Sequence, residues 1–129
     1  MRKANREVKD RNEIIEIMKR CDVCRLVFNN GDYPYIFPLN FGLDADEEKV
    51  IIYFHSALEG TKVEIMKREM KATFEMDCNH ELQYYEDRGY CTMAYESVIG
   101  RGKIRILSEE EKMEALKKLM AQYHKDKEA

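Results

Sequence analysis

The chain has no tryptophan, only two prolines, and no apolar run long enough to span a bilayer. It also lacks an excess of charge of one sign. Its 22 basic and 25 acidic side chains leave a net charge of −3, which argues against a nucleic-acid partner. The basic start (Arg2, Lys3, Arg6) is short and interrupted by Asn5 and Glu7, and reads as solvated or subunit-packing. No signal-peptide apolar region follows the first residues. The expected location is therefore the cytoplasm, with no membrane partner. What is present is a 44% apolar content over 129 residues, enough for a real core, and the expectation is a single domain, 1–129.

Cysteine is present but not arranged for metal. Cys21 and Cys24 form a CxxC, whereas Cys78 and Cys91 stand singly. A zinc ribbon needs a second close pair, so the expectation is buried reduced thiols and no metal site. The methionines fall mostly at core spacings.

Asp10 with Glu13 reads as an N-cap and its reciprocal acid, and Ile14, Ile17, Met18 and Cys21 recur at helical spacing, so 11–20 is predicted to be a helix. Val23 to Phe28 is predicted to be a strand, and Asn29-Asn30-Gly31-Asp32 a hairpin turn. From Tyr33 to Gly42 the chain alternates as one strand, with Tyr33, Tyr35, Phe37, Leu39 and Phe41 on one face. Pro34 and Pro38 on the other face make it an edge strand or a bulged one. Residues 43–48 form a polar turn, and Lys49 to Phe54 is a third strand. A helix follows over Thr61 to Met70, with Val63, Met66 (or Ile65) and Met70 inward. Then come a strand from Lys71 to Cys78, a polar loop from Asn79 to Gly89, and a long strand from Cys91 to Leu107 bent at Gly100 and Gly102. Ser108 and the acids after it cap a last helix, with Met113, Leu116, Leu119 (or Met120) and Tyr123 inward. Short turns make the first strands antiparallel neighbours. No GxGxxG follows a strand, so a doubly wound fold is disfavoured. Apolar strands with glycine corners favour a small barrel.

The most informative stretch is Ile52 to Lys62. An apolar strand ends in His55-Ser56, and Thr61 with Glu64 is a capping-box signature that opens a helix. Amides at such a start, with a lysine, a serine and a histidine beside them, can hold a phosphate dianion. Lys62 is unusual in a first turn, where acids are preferred, although an isolated lysine is ordinarily just solvated. Asn40 can meet a ligand or cap the following turn. His55 can shuttle a proton or serve as a structural histidine.

Three segments, Tyr35 to Gly42, Tyr53 to Ala57 with Glu59-Gly60 and Lys62, and Tyr95 to Gly102, together resemble the flavin-binding split-barrel superfamily that includes pyridoxamine 5′-phosphate oxidase, and within it the nitroimidazole-resistance (Nim-type) branch. The resemblance implies a mainly β fold with flanking helices (α+β), a six-stranded antiparallel split β-barrel. It implies a homodimer with FMN at the subunit interface. The flavin phosphate is then held by Ser56 and Lys62 with His55 alongside, and the ring lies along Pro38, Leu39, Asn40 and Phe41, with Ser97 and Val98 from the later strand. Glu96 stands where relatives commonly carry a basic residue, and the tryptophan they often have is missing. The implied activity is flavin-dependent reduction or oxidation of a small acceptor, nitroimidazole reduction included, with His55 as the catalytic candidate. The alternatives are a non-catalytic FMN carrier, a flavin-responsive binding module, or a barrel holding haem.

Overall fold

The computed structural model describes residues 6–55, 60–85 and 89–123, with the side chains of Lys62, Tyr85 and Tyr90 outside that description. The elements run α1 (Arg11–Arg20), β1 (Cys24–Phe28), β2 (Tyr35–Leu39), β3 (Phe41–Ala45), β4 (Val50–Phe54), α2 (Thr61–Glu69), β5 (Lys71–Tyr85), β6 (Tyr90–Lys103) and α3 (Glu109–Tyr123). The fold is mainly β with flanking helices, and every strand pair is antiparallel. The strands form two sheets rather than one continuous ring: four strands in the order β2-β1-β5-β6, and β3 with β4. Among the described residues no helix is long and apolar enough to cross a membrane.

Helix α1 starts as its sequence predicts, with the Asp10 carboxylate accepting from the Glu13 amide at 3.3 Å. Its Ile17 and Met18 join Cys24, Leu26 and Phe28 of β1, Phe37 of β2, Phe41 of β3, Ile65 of α2 and Met76 of β5 in one core. That core lies on the inner face of the four-stranded sheet, closed over by α1, α2 and the two-stranded sheet.

The single strand predicted over 33–42 is two. Tyr35–Leu39 is the edge of the large sheet, and Phe41–Ala45 pairs with β4 in the small one. Leu39 and Phe41 both point inward, so the alternation survives the change of sheet and conceals it. Pro38 sits on the edge strand opposite Arg25, where a missing N–H is tolerated.

The predicted polar loop over 79–89 is mostly strand. β5 runs on to Tyr85, and a bulge between Cys78 and Glu81, with Asn79 at φ 55°, shifts its register against β6. The bulge breaks the period-two alternation on which the sequence reading relied. β6 ends at Lys103, short of Leu107.

Two helices differ in detail. The N-cap of α2 is Gly60, so Thr61 lies inside the first turn and the predicted capping box does not form. Met70 is a left-handed C-cap and is exposed, and Ile65 fills the core position. In α3 the inward positions are Ala115, Leu119 and Gln122, while Met113, Leu116 and Met120 face out. The helix is turned relative to expectation because its backbone at Lys118–Leu119 packs directly on Gly42. Tyr123 is only partly covered, yet its hydroxyl donates to Asp22 O at 2.7 Å and accepts from the Phe41 amide at 3.0 Å.

Candidate functional site

Phe41 pairs with Phe54, the last residue of β4. One step beyond that pair stand Asn40 on one strand and His55 on the other, both exposed. The two-stranded sheet therefore brings the Pro38–Phe41 segment and His55 to one end. Phe41 is fully buried, and its amide is engaged by Tyr123, so it supports this end rather than offering a surface. Leu39 packs against the core. Asn40 neither caps the next turn nor stands free, because its side-chain amide donates to Asp22 O at 3.2 Å.

Ser56 lies outside the described residues, as does the side chain of Lys62. The backbone of Lys62 is in the first turn of α2. That turn has Gly60 as its N-cap, at φ 120°, and no side chain caps it. Only glycine adopts such a backbone readily. Among the described residues the first amides of α2 therefore have no side-chain acceptor, and they follow His55 closely in the chain.

Ser97 and Val98 do not join this group. Val98 packs inward on the core. Ser97 is exposed on the outer face of β6, opposite Asp77. β6 and β2 are the two edges of the large sheet, so Ser97 and Pro38 are separated by two intervening strands, roughly 14 Å at normal strand spacing.

The outer face of the large sheet carries a charged cluster that sequence reasoning missed. Arg25 Nη1 bonds Glu75 Oε1 at 2.9 Å and Asp77 Oδ2 at 3.0 Å, and His80 Nε2 lies 2.7 Å from Asp77 Oδ1. Burial and a hydrogen bond with Asp77 raise the Glu75 carboxyl above its usual range, and the same hydrogen bond with Glu75 holds Asp77 low. The available signal was the spacing of Glu75 and Asp77, two apart on a strand and so on one face. Glu96 is held low by the Asn79 amide at 2.5 Å and by Arg20 at 2.6 Å.

Among the described residues, two clefts stand out. One of about 750 Å³ lies between α1, β3 and α3, and one of about 350 Å³ lies beside Arg20, Arg25, Cys78 and His80. None of the described sequence-predicted residues lines either. The exposed ones among them, Pro38, Asn40, His55 and Ser97, sit on open sheet surface. Among the described residues there is no cluster of three or more metal-ligating side chains.

A family model described as pyridoxamine 5′-phosphate oxidase matches residues 10–129. Among solved structures, a protein from Bacteroides thetaiotaomicron, described provisionally as a 5-nitroimidazole antibiotic resistance protein, is 31% identical, with a TM-score of 0.77 over 95% of this chain and 71% of its own. A Mycobacterium smegmatis protein described as binding FAD and haem matches in fold at 13% identity and TM-score 0.76, over 95% of this chain and 59% of its own. A Mesorhizobium loti protein described as FAD-binding matches at 21% identity and TM-score 0.61, over 92% and 77%. A comparison with curated proteins gave no match.

Proposed function

The chain belongs to the pyridoxamine 5′-phosphate oxidase family, and we propose from that premise that two copies hold FMN between them and reduce or oxidise a small acceptor. The two sheets are then the halves of a split barrel. The observation that carries this reading is the start of α2, which has no side-chain cap and whose glycine N-cap, Gly60, follows His55 five residues on in the chain. Helix amides without a side-chain acceptor are a ready seat for a phosphate dianion. Lys62 in the same turn adds a positive charge, and Ser56 a hydroxyl. Asn40, fixed by Asp22, presents its remaining acceptor to a ligand N–H. His55 stands where it can donate or accept a proton at the edge of a bound substrate.

The dimer is supported by the outer face of the large sheet. Leu82, Tyr84, Met93, Tyr95 and Ile99 share that face with Ser97 and are all exposed. Such an apolar patch, here beside the charged cluster of Arg25, Glu75 and Asp77, is usually covered by a partner. Ser97 lies on this face, so a second copy laid on it would place Ser97 between the two chains. When bound, FMN supplies two-electron chemistry. The chain's own residues supply charge cancellation at the phosphate, orientation by Asn40 and Ser97, and exclusion of water by the apolar face.

The test is direct. Purified protein should be yellow or take up added FMN, and should scatter light as a dimer. Mass spectrometry of the released flavin separates FMN from the FAD named for two of the neighbours. Anaerobic reduction by NAD(P)H followed by faster reoxidation with a nitroimidazole supports a reductase. A colourless protein that binds no flavin overturns the reading, and flavin that reoxidises no faster with any acceptor leaves only the carrier.

A further inference from the structure

The CxxC is not the thiol pair that the fold assembles. Cys24 is fully buried on β1, and burial pushes its thiol up to about 12. Cys21 caps the end of α1 and turns its sulfur to the Ile17 carbonyl at 3.3 Å. Cys78, 57 positions along the chain, reaches the same carbonyl at 4.0 Å from the last position of β5 before the bulge. The two sulfurs converge on one carbonyl oxygen. Cys21 is the inner member at 3% exposure, and Cys78, at 8%, lines the cleft shared with Arg20, Asn79 and His80. One thiol thus meets a solvent-filled cleft, and the other lies behind it.

We propose that Cys21 and Cys78 are an oxidisable pair that closes to a disulfide under a hydroperoxide, tying the end of α1 to β5 at its bulge. Cys78 attacks the peroxide oxygen and becomes a sulfenic acid with release of water. The Cys21 sulfur then attacks the Cys78 sulfur, the S–OH bond breaks, and hydroxide leaves with the Cys21 proton as a second water. In sum, two thiols and one hydrogen peroxide give one disulfide and two waters. Burial and the neighbouring Cys78 push the Cys21 thiol up to about 12, so closure is slow at neutral pH and quickens as pH rises. A pair that opens and closes in this way suits a regulatory thiol site rather than a permanent cross-link.

The experiment uses the full chain carrying Cys91→Ser, because Cys91 is exposed and could link two molecules. Hydrogen peroxide is added, free thiols are capped, and intact mass is read without reductant. The expected product is a monomer that has lost two hydrogens and carries one cap, on Cys24, where the reduced chain carries three, and dithiothreitol before capping restores the other two. Trypsin should join the peptide of Cys21 and Cys24 to that of Cys78. Adding Cys24→Ser should leave the link intact, and adding Cys21→Ser or Cys78→Ser should abolish it. Far-ultraviolet circular dichroism of each reduced variant checks that it folds. A link that survives Cys21→Ser, a Cys21–Cys24 bridge, or capping of all three thiols after prolonged peroxide each overturns the proposal.

Discussion

Gly42 lies so close to α3 that a β-carbon on it would come within 2.3 Å of the Leu119 amide nitrogen and 2.5 Å of the Lys118 carbonyl carbon. The obstructing atoms are backbone, so no rotamer change relieves the contact. Gly42→Ala must push α3 off the small sheet, and with it Gln122 and Tyr123, which bond back to α1 and to the segment after it. Overpacking of this kind costs about 3 kcal/mol at the upper end of its range. Urea unfolding should show that loss as a lower midpoint at unchanged slope. A change below about 0.5 kcal/mol, the size of an ordinary surface substitution, would mean that α3 docks more loosely than the packing requires.

Gln122 is the buried polar side chain on the inner stripe of α3, and its amide nitrogen reaches Met18 O, Lys19 O and Cys21 O at 3.1, 3.0 and 2.9 Å. An amide has two hydrogens for these three acceptors, so at least one bond is shared. The group bonds carbonyls at the end of α1, of which Met18 O also accepts from the Cys21 amide. Gln122→Leu keeps the bulk and removes the donor, and should cost about 2 kcal/mol. Gln122→Glu should cost more at neutral pH, because a carboxylate would face carbonyl oxygens. Its folded-state pKa is then raised, so stability recovers as the pH falls and the protonated acid donates again. Thermal melts of both variants across pH 4 to 8 should cross, and parallel curves would argue that the bonds carry no weight.

These two contacts also explain what the sequence conceals. The apolar stripe Met113, Leu116, Met120 looks like the core face of α3, and a helix docking by side chains alone would bury it. A bare glycine on β3 lets the helix backbone approach instead, and the buried face becomes Ala115, Leu119 and Gln122. Neither the close approach nor a glutamine acting as a remote cap leaves a periodic trace. The strand ends fail for the same kind of reason. Asn79 in the left-handed region and the hand-over at Asn40 change pairing without changing composition. By contrast, α1, β1, β4 and the start of α2 are local features and were legible to within a residue or two. The candidate site was legible only in part: the motif residues are readable, but Ser97 lies on a different sheet face from His55, which spacing along the chain cannot reveal.

Acid sensitivity should trace to Glu111. Hydrogen bonds from Arg105, at 2.9 Å, and from the Ser108 amide and hydroxyl, at 3.2 and 3.1 Å, lower its pKa from 4.5 to about 2. A depressed folded-state pKa contributes stability that is present above the unfolded value and is lost as the pH falls through the folded one. The window is therefore from about 4.5 down to about 2. The wild-type melting temperature should fall across that interval more steeply than that of Glu111→Gln. The contacts are exposed and salt-screened, so the difference should shrink in high salt. Identical slopes for the two proteins would remove Glu111 from the acid limb.

Lys62→Ala separates a ligand-binding lysine from an idle one, because the two consequences have opposite signs. A lysine in the first turn of a helix opposes the macrodipole, so its removal should leave the apoprotein as stable as before or slightly more so, by a few tenths of a kcal/mol. If Lys62 bonds the flavin phosphate, the same change removes a charge-assisted contact of about 1.5–3 kcal/mol and weakens FMN binding at least about tenfold. Fluorescence titration of apoprotein with FMN reads the affinity, and urea unfolding without ligand reads the stability. Riboflavin, which lacks the phosphate, should bind the two proteins alike. An unchanged FMN dissociation constant takes Lys62 out of the site, and a loss shared equally by riboflavin would show that the substitution disturbed the fold around α2 instead of the phosphate contact.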